Sequence, residues 1–423
     1  MKNNIKLPKQ TDSLASWLNY LEFINKQTCL DTKSIKLVAK SLKLLQPKEF
    51  VFIVSGTNGK GTTCRVIEML LIQAGYRVGV YSSPHFLNYT ERIRIQGNLL
   101  DEKQHIYSFI EIEKKRINNL LTYFEFSTLS ALILFKQSNL DVIILEVGVG
   151  GRLDATNIID ADVAIITNIA LDHMDLLGSD REKISIEKAG IFRSGKLAII
   201  GEPDIPYKFK IIAKEKRTTL LKVNKDWFYY KKKNSWSLFD RYGLLNNLPF
   251  TQIPLSNVAV ALIALRTSGF KIPTKIIYEQ LPLINLPGRF QTICKSPHII
   301  LDVAHNPHAA NYLSHRLNKL LKRGKTHAVV GMLKDKDIKG TLIALINQID
   351  YWYCATLNCP RGAKADQLAL YLQNSYIFSD IKSAWQKALE NAEPKDIILV
   401  FGSFITVTEI MKITSINKLF DKH

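Results

Sequence analysis

Short apolar runs alternate with longer amphipathic stretches along most of the chain, the pattern of a parallel sheet covered on both faces by helices. Residues 50–55, Phe-Val-Phe-Ile-Val-Ser, predict a buried strand, and residues 62–74 predict a helix that Gly75 stops. A strand over 78–82, a loop through Ser83-Pro84-His85 and a helix over 102–121 follow. Residues 126–135 are apolar on nearly all sides, as in a helix sunk in a core. Two more buried strands are predicted at 142–145 and 163–167. Ser179-Asp-Arg-Glu182 has the spacing of a capping box and predicts the start of a helix that contains Glu187-Lys188-Ala189-Gly190.

The pattern breaks at Leu286-Pro-Gly-Arg-Phe-Gln291, and a second series begins beyond it. Strands are predicted at 299–301, 328–332, 351–356 and 397–401, with helices over 364–373 and 381–391. The expected architecture is α/β, with a large N-terminal domain over 1–296, a hinge near 290–297 and a smaller α/β domain over 297–423. No internal repeat interrupts it.

Composition changes this picture little. The chain has 423 residues, 46% of them hydrophobic and 22% charged, as in ordinary globular proteins. No apolar run approaches the roughly 18–20 residues that span a bilayer, and the basic start leads into no signal-like stretch. Five cysteines without C-x-x-C spacing argue against a zinc site or a disulfide framework. A cytoplasmic protein is expected. The net charge of +19 suits a nucleic-acid partner or a polyanionic small substrate. The best local support for nucleic acid is the aromatic-basic stretch over 227–236, which reads equally as a hairpin turning at 232–235. The basic residues are spread along the whole chain, which favours the hairpin and a small substrate.

The chemistry gathers at predicted strand ends. Gly56-Thr57-Asn58-Gly59-Lys60-Gly61-Thr62 lies between a buried strand and a helix, the setting of a loop that cradles phosphates. Glycines let backbone N–H groups face the phosphates, Lys60 supplies a point charge, and a Thr hydroxyl reaches a metal. The spacing departs from G-x-x-x-x-G-K-[ST], because Gly61 stands between Lys60 and Thr62. ATP with magnesium is the expected ligand. Glu146 ends a strand and is either a magnesium ligand or a solvated acid. His173 holds the matching place after the next strand, as ligand or structural residue. Lys188 is singled out by nothing in the pattern. Arg289 at the hinge and Asp302 after the first strand of the second domain are expected to complete a site split between domains, one that closes on its ligands.

Taken in order, these segments resemble the Mur ligase superfamily, and within it the dihydrofolate synthase/folylpolyglutamate synthase family. The resemblance rests on the phosphate loop, Ser82-Ser-Pro-His85 with Tyr89-Thr-Glu-Arg-Ile-Arg94, and Thr122-Tyr-Phe-Glu-Phe-Ser-Thr128. It continues through Glu146-Val-Gly, Gly150-Gly-Arg-Leu-Asp-Ala-Thr-Asn157, Ala170-Leu-Asp-His173, Glu187-Lys-Ala-Gly190 and Pro287-Gly-Arg-Phe-Gln291. Leu301-Asp-Val-Ala-His-Asn-Pro307 and Gly402-Ser-Phe-Ile-Thr-Val407 complete it, covering about residues 15 to 412. The loop with the extra glycine is that family's own form.

The resemblance implies an ATP-dependent amide ligase that adds L-glutamate to dihydropteroate and to reduced folates through an acyl phosphate. It implies Ser83 and Glu146 on one magnesium, and His173 with a carbamylated Lys188 on a second. Asn257, Arg289 and Asp302 would contact ATP. Thr122, Tyr123, Phe124, Glu125, Leu153, Asp154 and Ala155 would bind the pterin end, with Phe124 stacking and Asp154 accepting from the N–H edge. On that basis Asp154→Ala is expected to depress dihydropteroate use more than tetrahydrofolate use. Thr28, Cys29 and Leu30 are assigned to the same substrate by the resemblance alone. Lys60, Lys188 and His305 would be catalytic, His305 as candidate base. No nucleic acid or membrane partner is implied, and a monomer is expected. The rivals are a cell-wall Mur ligase, which would not carry the pterin segments, and a nucleic-acid-stimulated ATPase.

Overall fold

The computed structural model describes residues 7–24, 31–320 and 324–420, with side chains described to residue 414. Thr28, Cys29 and Leu30 lie outside the described residues. The chain folds as two compact units. One comprises the residues up to Ile169 together with Ser179–Ile284; the other comprises Ala170–Gly178 and the residues from Asn285 onward.

The first unit is built on an eight-stranded sheet. Its strands are β1 (Phe50–Ser55), β2 (Val78–Tyr81), β3 (Ile93–Ile95), β4 (Asn98–Leu99), β5 (Val142–Glu146), β6 (Val163–Ile166), β7 (Leu197–Ile200) and β8 (Thr219–Lys222). They lie in the order β4-β3-β2-β5-β1-β6-β7-β8, with the β2–β3 and β3–β4 pairings antiparallel and the others parallel. β1 is flanked on both sides and its residues from Val51 on are all buried, which explains its unbroken apolar run. Register puts Val54 beside Glu146, so the acid emerges next to the loop that follows β1. β9 (Phe228–Lys231), β10 (Trp236–Asp240) and β11 (Gly243–Leu248) form a separate antiparallel sheet. The expected hairpin is there, its turn closed by Lys232 N–H to the Ser235 carbonyl at 2.8 Å.

The second unit holds β12 (Gln291–Lys295), β13 (His298–Leu301), β14 (Thr326–Val330), β15 (Tyr351–Ala355), β16 (Ser375–Phe378) and β17 (Ile397–Phe401). Their order is β12-β13-β17-β14-β15-β16, parallel except for β12. Ile300, Val330, Trp352, Leu399 and Phe401 fill its core against Leu313, Leu317 and Leu342.

Helix ends moved where local backbone or exposure overrode the pattern. The helix after β1 runs Lys60–Gln73, starting earlier than expected because left-handed Gly59 (φ +84°) turns the chain into it. The helix Glu102–Arg116 stops short of 121, since Ile117 adopts φ +49° and is 76% exposed. The helix expected over 364–373 spans only Ala365–Ala369, followed by Leu370 at 78% exposure. The box expected at 179–182 is also different. Asp180 caps Arg181–Ala189 by accepting from Lys183 N–H, and the Glu182 carboxylate instead accepts from Tyr207 and Lys208 N–H. Among the described residues no helix is long and apolar enough to cross a membrane.

Candidate active site

The loop after β1 is tied down at both ends. Thr57 N–H donates to the Asn168 carbonyl and Asn58 N–H to Asn168 Oδ1, while Thr167 Oγ1 and Asn168 Nδ2 both donate to the Asn58 carbonyl. The glycines are required by contact as well as by conformation. A Cβ on Gly56 would stand 1.8 Å from Thr167 Oγ1, and one on Gly59 would stand 2.4 Å from the Asn257 amide. Asn257 therefore packs on the loop itself. Gly61, the residue that breaks the usual spacing, faces Glu146: a Cβ there would stand 3.4 Å from both carboxylate oxygens. A longer side chain at this position would occupy the space between the helix start and the acid. Lys60 Nζ curls back to the Gly56 and Thr57 carbonyls at 3.0 and 3.3 Å, bracing the loop with the charge that faces phosphate in such sites.

Glu146 is buried and accepts from Ser83 N–H at 3.1 Å, so the two expected ligands of one magnesium are adjacent. The Ser82 hydroxyl, next to Ser83, is held in turn by Arg94. Its guanidinium makes a double contact with the fully buried Glu68 carboxylate at 3.0 Å and donates to Ser82 Oγ at 3.0 Å. Glu68 lies on the helix Lys60–Gln73, so one ion pair fixes the Ser83 loop relative to the phosphate loop. Pattern reading gave neither Glu68 nor Arg94 a role. Among the described residues, no cluster of three or more His, Cys, Asp or Glu side chains forms a closed metal cage. One carboxylate and a serine beside a phosphate loop fit magnesium, which takes few protein ligands together with phosphate oxygens and water.

The segments expected to bind pterin meet at the carboxyl end of β5. Thr122 and Glu125 form a capping box on the helix Tyr123–Lys136, each side chain accepting from the other's N–H. Burial pushes the Glu125 carboxyl up, against two Thr122 hydrogen bonds. Phe124 lies on the backbone of Gly148, where a Cβ would stand 2.6 Å from its ring, and its centroid is 5.8 Å from that of Tyr81. Asp154 is buried and accepts four protein hydrogen bonds, from Gly148 N–H, Val149 N–H, Thr156 N–H and Thr156 Oγ1, at 2.6 to 3.1 Å. It is the clamp of this loop. Leu153 is partly exposed and Ala155 is buried. The same loop seats on the helix Arg181–Ala189: Arg152 N–H donates to the Glu187 carbonyl at 2.7 Å, and a Cβ on Gly190 would stand 2.3 Å from Arg152 Cα. Lys188, on the last turn of that helix, is 2% exposed.

In the second unit Asp302 closes the Pro287-Gly-Arg-Phe turn on the end of β13. Its two oxygens accept from Phe290 N–H and Ala304 N–H, each at 2.8 Å. Burial raises this carboxyl, opposed chiefly by the Arg289 charge. A tighter cluster surrounds Asp172, which explains why Ala170–Gly178 belongs to this unit. Asp172 accepts from Lys336 Nζ at 2.6 Å, Asn306 Nδ2 at 3.0 Å and His173 N–H at 2.8 Å, and His305 Nε2 lies 3.3 Å away. Burial alone would raise its carboxyl; His305 and Lys336 reverse that and hold it well below the carboxylate range. Lys336 Nζ also lies 3.2 Å from His173 Nε2. His305 Nδ1 lies 2.8 Å from the Val303 carbonyl, so both of its ring nitrogens are engaged and a base role requires one to be released. Asp172 and Lys336 were not foreseen. Lys336 was open to discovery, since Lys334-Asp-Lys-Asp337 follows the end of β14, where ligands of such sheets collect.

Known proteins share this fold. The Mur ligase middle domain matches residues 54–237, and the Mur ligase glutamate ligase domain matches residues 288–404. The dihydrofolate synthase/folylpolyglutamate synthase of Escherichia coli (strain K12) is 52% identical over 409 residues, covering 96% of this chain and 97% of that protein. The E. coli enzyme in complex with DHPP and ADP superposes with a TM-score of 0.95 at 52% identity, over 97% of this chain and 100% of that one. A bifunctional folylpolyglutamate synthase/dihydrofolate synthase with Mn, AMPPNP and L-glutamate bound gives 0.93 at 51% identity, over 97% and 100%. The chain belongs to the dihydrofolate synthase/folylpolyglutamate synthase family of Mur ligases.

Proposed function

We propose that the chain joins the α-amine of L-glutamate to the carboxylate of dihydropteroate, giving dihydrofolate, and to that of reduced folates, giving polyglutamates. Family membership makes it an ATP-dependent glutamate ligase of folate metabolism. The observation that carries the two-substrate reading is the meeting of Phe124, Gly148 and the Asp154 loop at the end of β5, the strand that also ends in Glu146. Product analysis after incubation with ATP, glutamate and either dihydropteroate or tetrahydrofolate tests it. Absence of dihydrofolate in the first reaction would remove the synthase activity.

In this mechanism the terminal phosphoryl group of ATP passes to the acceptor carboxylate, giving an acyl phosphate and ADP. The glutamate amine then attacks the acyl carbon, and inorganic phosphate leaves as the amide forms. The chain contributes positioning and charge neutralisation. Lys60 faces the phosphates, Asn257 borders the phosphate loop, and Arg289 and Asp302 contact the nucleotide. Ser83 and Glu146 would hold one magnesium, and His173 and carbamylated Lys188 a second, which would supply positive charge against the transferring phosphoryl group. The enzyme acts as a cytoplasmic monomer, with residues 1–296 serving ATP and pterin and residues 297–423 serving glutamate.

The carbamate is supported by the burial of Lys188, 2% exposed, on a helix that anchors the pterin loop. An ammonium is costly to bury near cations, whereas its carbamate offers them oxygens. Lys188→Ala is expected to lower turnover at least ~100-fold, by analogy with loss of one transition-state electrostatic partner. Added short carboxylates should restore part of it. Carbon-13-labelled bicarbonate should give a carbamate NMR signal in the parent protein and none in the variant. A parent protein without that signal would exclude the carbamate.

Asp154 does more than face a ligand. Its carboxylate already holds four protein donors, so Asp154→Ala loosens the loop that both reactions share. We expect kcat/KM to fall more than about 10-fold on dihydropteroate and tetrahydrofolate alike, from the loss of buried hydrogen bonds. Phe124→Leu is the selective change: loss of about 1 kcal/mol of stacking lowers dihydropteroate use ~5-fold. Equal losses on both substrates in Phe124→Leu would count against a separate pterin position for dihydropteroate.

A further inference from the structure

The two arginines of Tyr89-Thr-Glu-Arg-Ile-Arg94 are treated differently by the fold. Arg94 is matched to the Glu68 carboxylate through two nitrogens. Arg92 is only 9% exposed, yet among the described residues no carboxylate pairs with it. Its Nε donates to His85 Nδ1 at 2.8 Å, which leaves the ring proton of His85 on Nε2. Its guanidinium carbon lies 5.9 Å from the Tyr89 ring centre and 5.4 Å from that of Tyr123. Tyr89 cannot swing aside, because its hydroxyl donates to Ser127 at 2.9 Å and its ring packs edge-on against Phe109. Among the described residues neither terminal nitrogen has an acceptor, and neither is sealed from solvent. A cation so nearly buried is costly to keep without an anion. Here the charge is held between two aromatic faces, with its two free N–H edges left open.

We propose that Arg92 is the receptor for the carboxylate of the acceptor substrate, with His85 fixing the plane of the guanidinium. This rests on the glutamate-ligase reading above. Dihydropteroate carries one anionic group, the carboxylate that becomes the amide, and a planar guanidinium matches it in two parallel hydrogen bonds. The position suits that role from both sides. His85 stands two residues after Ser83, and Tyr123 immediately precedes Phe124. Arg92 would thus hold the acceptor between the pterin pocket and the loop that faces magnesium. As a positioning contact made before transfer and kept during it, it should act mainly on acceptor affinity.

The test is binding of dihydropteroate and of its decarboxylated analogue to the parent protein, Arg92→Gln and Arg92→Lys, each with AMPPNP and magnesium present. The parent should prefer the acid by roughly 10- to 100-fold, the range of a charged hydrogen-bonded pair. Arg92→Gln should erase most of that preference while binding the analogue as the parent does, and Arg92→Lys should recover part of it. An unchanged preference in Arg92→Gln overturns the proposal. Equal weakening of both ligands also overturns it, because Arg92 would then be stacking on the ring system or serving the fold. If Arg92→Gln loses AMPPNP binding, the same ratio in Arg92→Lys decides: a several-fold reduction supports the receptor, and an unchanged ratio excludes it. Failure of the parent protein to bind dihydropteroate would instead remove the dihydropteroate reading on which the proposal rests.

Discussion

Lys60→Ala is expected to lower kcat by roughly 100- to 1000-fold, the usual cost of one preorganised electrostatic partner at a transferring group. Two losses combine in this variant. The ammonium no longer faces the phosphates, and its hydrogen bonds to the Gly56 and Thr57 carbonyls disappear. The fold should survive, because the loop keeps its ties to Asn168 and Thr167. Lys60→Arg separates the two effects: it retains a charge able to reach the carbonyls but has the wrong shape for the cradle. ADP release in a coupled assay, with circular dichroism as the control for folding, measures both. Near-normal rates in Lys60→Ala would end the assignment of this loop to phosphate.

The largest stability effect is expected at Asp172. Asp172→Ala strips Lys336 of its 2.6 Å partner at a site where the lysine side chain is only 4% exposed. Removing one member of a buried pair typically costs about 3–5 kcal/mol, since the other charge stays buried. Asn306 and His305 lose an acceptor at the same time. The double variant Asp172→Ala/Lys336→Met should be more stable than Asp172→Ala alone, because no uncompensated ammonium remains. Glutamylation should be lost in both, as His173 and His305 lose the group that orients them. Urea unfolding and steady-state rates decide the matter. A single variant within ~1 kcal/mol of the parent, or a double variant no better than the single, would mean that the pair is not coupled.

Much of the proposed site was legible because it is local. A phosphate loop needs its glycines, lysine and flanking strand and helix within a few consecutive residues, and those residues state it without help from the rest of the chain. Glu146 was legible for a similar reason: an apolar run that ends in an acid marks a strand's carboxyl end. The family resemblance supplied others, including Lys188 and Asn257, at positions that periodicity alone left unmarked.

The chain's own order of residues determined the alternation of strands and helices, the phosphate loop and the two-part α/β organisation, since each depends on neighbours in sequence. Only the tertiary structure showed that Gly61 faces Glu146, far along the chain. Only the tertiary structure showed that Asp154 is a clamp, that among the described residues Arg94 has a carboxylate while Arg92 has none, and that Asp172 is gripped by Lys336. Charge pairing is a matter of distance in space: a lysine 164 positions from its aspartate leaves no periodic trace in the sequence, although burial makes their contact obligatory.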